Sequence, residues 1–186
     1  ASIGQGVTGP LILDPAGVLW IGTFGGGVNG LDLARAENLD PATARFVHLQ
    51  ADPTSPGGFH DIIWSLHASR SGTLWVGTQT GLDAYVPDRQ RVRHYRHSPT
   101  DARSLSNDVI RALLEDSRGR LWIGTDVGLN LLERSSGTFT HYRNDPDNPH
   151  TLSNNIIFAI HEDRAGILWL GTWGGGLNRF DPDQGH

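Results

Sequence analysis

The stretch "GRLWIGTDVGLNLL", Gly119 to Leu132, decides the fold because the chain writes it four times. It returns as "GILWLGTWGGGLNRF" from Gly166, "GTLWVGTQTGLDAY" from Gly72 and "GVLWIGTFGGGVNGL" from Gly17. Aligned on the first tryptophan, the copies fall at Trp20, Trp75, Trp122 and Trp169, spaced by 55, 47 and 47 residues. Periods of this size mark arrays, solenoids and propellers. The agreement runs beyond the motif: "LSNDVIRALLEDSRGRLWIGT" (Leu105 to Thr125) aligns without a gap on "LSNNIIFAIHEDRAGILWLGT" (Leu152 to Thr172). The longer first interval is explained by a loop insertion within "LARAENLDPATARF", Leu33 to Phe46, of the kind surfaces tolerate.

Each copy parses into four strands. In the third, "VIRALLED" (Val109 to Asp116) is a first strand in which apolar residues dominate, so burial on both faces is expected. "SRGR" is a tight turn that uses the backbone freedom of Gly119. "LWIGT" (Leu121 to Thr125), "GLNLLE" (Gly128 to Glu133) and the more polar "TFTHYR" (Thr138 to Arg143) follow, with Gly137 turning the chain between the last two. A four-stranded unit with an apolar inner strand and a polar outer one reads as a propeller blade. The expected fold is therefore all-β, a β-propeller segment spanning 1–186 with blades near 3–50, 58–96, 105–143 and 152–186. The last copy stops at "DPDQGH", before a counterpart of "FTHYR", so an open or half-propeller arrangement is expected, its last blade lacking an outer strand. One blade exposes two apolar faces and is not stable alone. Stacking copies lets each tryptophan-bearing strand pack on the next blade, which gives Trp20, Trp75, Trp122 and Trp169 a structural role.

Composition narrows the function classes. The net charge of −5 leaves no broad basic footprint for nucleic acid. All fifteen cationic side chains are Arg, and Cys and Met are absent, so there is neither a disulfide framework nor a thiol nucleophile. No apolar run reaches the roughly 18 residues of a spanning helix, so no membrane segment is expected here. The missing initiator Met points to a piece of something larger.

The combination "LSNN-x-I-x-x-I-x-E-D-x-x-G-x-LW-I/L-G-T-x-x-GGLNRFDP", fullest at Leu152 to Pro182, resembles the two-component regulator propeller repeat. The second copy departs by Ser69 in place of the turn Asp and by "GGFHD" in place of "LSNN"; the first departs further, with "PLILDPAG" before its motif. The resemblance implies an extracytoplasmic, periplasmic sensor region of a hybrid two-component system. Such a region is a non-catalytic binder of an oligosaccharide or similar ligand. It also implies many blades in the family's proteins, so the expected partners are further propeller blades from the parent chain or from a second copy. A free-standing propeller for adhesion or protein contacts is the alternative, and a propeller lyase a more distant one.

No constellation in the sequence demands chemistry. His48, His94 and His141 recur at one position of successive outer strands, which suits structure better than a shared metal; the remaining His lack metal-ligand spacing. Neither metal nor cofactor is expected. Glu115-Asp116 and Glu162-Asp163 recur before tight turns, where Asp accepts backbone N–H bonds. In a propeller, the inter-blade linkers and the turns between second and third strands open on one side. That side collects Phe24, Gln79, Asp126 and Trp173 with His60, Asp61, Asn107, Asp108, Asn154 and Asn155. Flat aromatics beside amides and carboxylates suit sugars, and Phe24 and Trp173 are the candidate stacking residues. Asn154 and Asn155 also fit as simple caps of the linker turn.

Overall fold

The structure is a computed structural model that describes residues 7–33, 46–49 and 62–186. Among these residues there is no α-helix. Fifteen strands form four antiparallel sheets, each a simple meander in chain order. Blade 1 comprises β1 (Val7–Leu13), β2 (Val18–Phe24), β3 (Val28–Asp32) and β4 (Phe46–Leu49). Blade 2 comprises β5 (Ile63–Ala68), β6 (Leu74–Thr78), β7 (Gly81–Val86) and β8 (Arg91–Tyr95). Blade 3 comprises β9 (Ile110–Glu115), β10 (Leu121–Thr125), β11 (Gly128–Glu133) and β12 (Thr138–Tyr142). Blade 4 has three strands, β13 (Ile157–Glu162), β14 (Leu168–Thr172) and β15 (Gly176–Phe180). The chain divides into two compact units, Ala1–His94 with blades 1 and 2, and Tyr95–His186 with blades 3 and 4.

Within each unit the tryptophan of the earlier blade packs against the next blade. In the second unit Trp122 and Leu129 of blade 3 pack with Ile157, Leu168, Leu170 and Phe180 of blade 4, and Trp122 is fully buried. Its ring meets Phe180 edge-on at 5.6 Å. In the first unit Trp20 and Val28 pack with Ile63, Leu66, Leu74, Val76 and Tyr85 of blade 2. Trp169 of blade 4 is only half-buried.

The motif glycine sits beneath the same stacking. A Cβ on Gly124 would lie 2.8 Å from the Ile157 carbonyl oxygen, and one on Gly22 would lie 2.6 Å from the Ile63 side chain. At Gly171 the same Cβ would meet only the Ala159 methyl, at an ordinary 3.4 Å. Glycine at this position lets one sheet approach the backbone of the next.

The expectation that the first strand is buried on both faces is corrected. β9 fully buries only Ile110 and Ala112, and in β13 Phe158 and Ala159 are exposed. Burial is complete instead in the second strand of blades 2 and 3, where every residue of β6 and of β10 is buried, while β2 and β14 are buried only in part. An apolar run shows that a strand can be covered, but position in the sheet decides whether it is. The second strand is flanked by neighbours on both edges and lies under the inter-sheet packing.

Two sets of polar contacts hold the blades in register. The turn aspartate accepts backbone N–H bonds and also the indole N–H of its own blade's tryptophan. Asp116 accepts from the Arg118 and Arg120 amides at 3.0 and 2.8 Å and from Trp122 Nε1 at 2.9 Å. Asp14 and Asp163 hold Trp20 and Trp169 in the same way, each at 2.8 Å. In blade 2 Ser69 takes this place, and its Oγ accepts from the Ser71 amide. The threonine closing the second strand donates to the carbonyl across the next turn: Thr23 to Gly27, Thr78 to Gly81, Thr125 to Gly128 and Thr172 to Gly176, at 2.9 to 3.0 Å.

Candidate ligand-binding site

The first and second strands of every blade pair with a register shift near one end. In blade 4, Ile157 pairs with Thr172 and Ala159 with Gly171, which leaves Phe158 as an extra residue. Trp64 in blade 2 and Arg111 in blade 3 hold the corresponding place. A bulge re-aims the side chain it carries. Here it turns toward the residue that follows the motif threonine at the end of the second strand, the position of Phe24, Gln79, Asp126 and Trp173.

The pairs that result differ from blade to blade. In blade 2 the Trp64 indole donates to Gln79 Oε1 at 2.9 Å, and Phe24 of blade 1 meets the Trp64 ring edge-on at 5.1 Å. In blade 3 Arg111 forks onto Asp126, Nε to Oδ1 at 2.8 Å and Nη2 to Oδ2 at 3.0 Å. The Arg111 guanidinium lies over the Phe158 ring of blade 4, 5.2 Å from its centroid. Phe158 in turn lies 5.3 Å from Trp173, the two rings inclined by 33°. Trp173 is 66% exposed and Phe158 43%. With Ile156 these four residues line a hollow of about 260 Å³.

The linkers run beside this end of the blades. The Trp173 amide donates to the Ile156 carbonyl at 3.0 Å, and the Gly128 amide to the Asn155 carbonyl at 2.7 Å. The linker side chains expected at the site are engaged in caps. Asn107 accepts from the Val109 amide, Asn154 from Ile156 and Asn155 from Asn144, each at 2.8 Å. Asp108 accepts from the His97 amide at 2.6 Å. His60 and Asp61 lie outside the described residues, as does most of the insertion after Leu33. Phe24 belongs to the first unit and Trp173 to the second.

Arg111 and Phe158 escaped the sequence reading because they sit on the strand taken as core. The signal was present: Trp64, Arg111 and Phe158 share one repeat position among otherwise repeated neighbours, as do Phe24, Gln79, Asp126 and Trp173.

The outer-strand histidines are bonded within the fold. His48 Nδ1 lies 2.6 Å from Asn29 Oδ1, His94 Nδ1 lies 2.8 Å from Asp83 Oδ1, and His141 Nε2 donates to the Ser104 carbonyl at 2.7 Å. Burial lowers the His141 pKa, opposed by the Ser104 bond and reinforced by the Arg143 and His97 charges. Among the described residues no three His, Asp or Glu side chains come together as a metal cluster.

Known structures match the fold. The extracellular domain assigned to a hybrid two-component system of B. thetaiotaomicron superposes with a TM-score of 0.71 at 23% identity, covering 92% of this chain and 21% of that one. A second such domain from the same organism gives 0.74 at 22% identity, covering 96% and 24%. A structure assigned as a gluconolactonase gives 0.62 at 11% identity, covering 95% and 60%. This chain spans about a fifth to a quarter of the length of the two sensor domains. No curated protein matches it. The family model described as two component regulator propeller matches residues 104–127 and 151–174, the entry linker through the second-strand turn of blades 3 and 4. Residues 104–127 and 151–174 are thus similar to the two-component regulator propeller repeat.

Proposed function

We propose that this chain is a non-catalytic, ligand-sensing propeller segment of a two-component-type regulator, working outside the cytoplasm and recognising an oligosaccharide. The observation that carries the reading is the hollow at Phe158 and Trp173. Two exposed aromatic rings, inclined to one another, stand beside a guanidinium–carboxylate pair. Aromatic faces offer a large, rigid contact area, and a few placed polar groups fix orientation. The family repeats and the extracellular character of the similar domains support the setting. No helix among the described residues is long and apolar enough to cross a membrane. A sensor of this kind signals when ligand binds one arrangement of its parts better than another.

Trp173 is the stacking residue in this reading, with Phe24 as its counterpart in the first unit. Asn107, Asp108, Asn154 and Asn155 shape the linkers of the second unit. A further blade of the same repeat is the proposed neighbour of blade 4. Leu177 there is 66% exposed, whereas its equivalent in blade 3, Leu129, is fully buried by the adjoining blade.

Calorimetric titration of the chain with a panel of oligosaccharides tests the reading. Saturable binding that Trp173→Ala removes is expected. Absence of binding across the panel, or binding indifferent to Trp173→Ala, overturns it.

A further inference from the structure

We infer that Asp126 sets the charge selectivity of the Phe158–Trp173 hollow, so that it accepts neutral saccharides and rejects those bearing carboxylate or sulfate groups. The inference rests on the saccharide reading above and adds the ligand's chemical class.

The hollow contains one cationic and one anionic side chain among its described lining residues, Arg111 and Asp126. They are joined by two parallel hydrogen bonds, and their side chains are 19% and 28% exposed. A forked pair of this kind is the strong geometry for guanidinium and carboxylate. It has two consequences. The Nε–Nη2 edge of the guanidinium is occupied by Asp126, and an approaching anion meets the Asp126 charge. The guanidinium plane remains over Phe158, where it serves as a wall of the hollow. In the first unit the corresponding residues Phe24, Trp64 and Gln79 carry no charge at all, so neither set of residues presents a net charge.

A neutral pyranose meets the rings through its C–H face and loses nothing to this arrangement. An acidic sugar must displace Asp126 from the Nε–Nη2 edge of Arg111 or bring its own charge beside the Asp126 carboxylate while losing water, and either choice costs affinity.

The test compares a neutral oligosaccharide with an oligogalacturonide of equal length, titrated calorimetrically into the chain at fixed ionic strength. The wild-type chain is expected to favour the neutral ligand by at least about tenfold, a difference of about 1.4 kcal/mol. Asp126→Asn removes the repelling charge and is expected to raise acidic-ligand affinity by about tenfold. The double variant Arg111→Gln, Asp126→Asn should lose that gain, which separates a charge effect from a change of shape. Equal wild-type affinity for both ligands, or an unchanged ratio in Asp126→Asn, overturns the selectivity while leaving saccharide binding intact. Binding of neither ligand overturns the saccharide reading and this inference with it.

Discussion

Replacing Asp116 by alanine should destabilise the second unit far more than the loss of one surface carboxylate would. The residue is 1% exposed, and its two oxygens accept from the Arg118 and Arg120 amides, the Arg120 guanidinium and the Trp122 indole. The turn amides can bond to water once the carboxylate is gone, so their share is about 1 kcal/mol each. The indole cannot, because Trp122 is fully buried against blade 4, and an orphaned buried donor costs about 1–3 kcal/mol. The expected loss is therefore about 3–5 kcal/mol. Urea denaturation followed by circular dichroism measures it. A double-mutant cycle with Trp122→Phe, which keeps a ring but removes the N–H, should return a coupling of about 1–3 kcal/mol. A coupling near zero would refute the assigned role of the indole bond. Acid supplies a second check. Burial alone raises the Asp116 pKa, but the bonds from Trp122 and Arg120 and the Arg120 charge outweigh it, and the net shift is downward. A carboxyl depressed on folding contributes fully above the unfolded value of about 3.9, and that contribution is lost as pH falls through the lower folded value. The gap between wild type and Asp116→Ala should accordingly narrow in strong acid.

Two further pairs of substitutions test the blade stacking. Gly124→Ala forces a methyl against the Ile157 backbone and should cost about 1–3 kcal/mol, while Gly171→Ala, with only Ala159 nearby, should be neutral or stabilising by up to about 1 kcal/mol. Comparable losses at both glycines in thermal melts would contradict the packing. Trp122→Ala should cost about 3–5 kcal/mol, and Trp169→Ala distinctly less because its ring is half-buried. Equal losses in denaturant titrations would place the two rings in equivalent surroundings.

The strands were legible in the sequence wherever the motif is tight. "LWIGT" and "GLNLLE" coincide with β10 and β11, and the tryptophan-to-next-blade packing follows from repetition alone. Burial of the first strand was not legible, because an apolar run reports what a strand could bury and not which neighbour covers it. The candidate site was legible by half. Asp126 and Trp173 stand out at a varying position of a repeated frame, but their partners Arg111 and Phe158 depend on a register shift that spacing along the chain does not reveal. The carboxylate–indole bond was also hidden: Asp116 and Trp122 are six residues apart, on opposite sides of a turn, and only the folded hairpin brings them together.

That bond closes inside one hairpin, and this gives the architecture a modular grammar. Such a copy brings its own proofreading of alignment: a slip of one residue along the hairpin would strand the indole N–H in oil. Sheets can then be appended or removed whole, with adjustment confined to the surface where two copies touch. Blade 2, with Ser69 in the aspartate's place, shows that the array tolerates a copy whose turn is fastened differently.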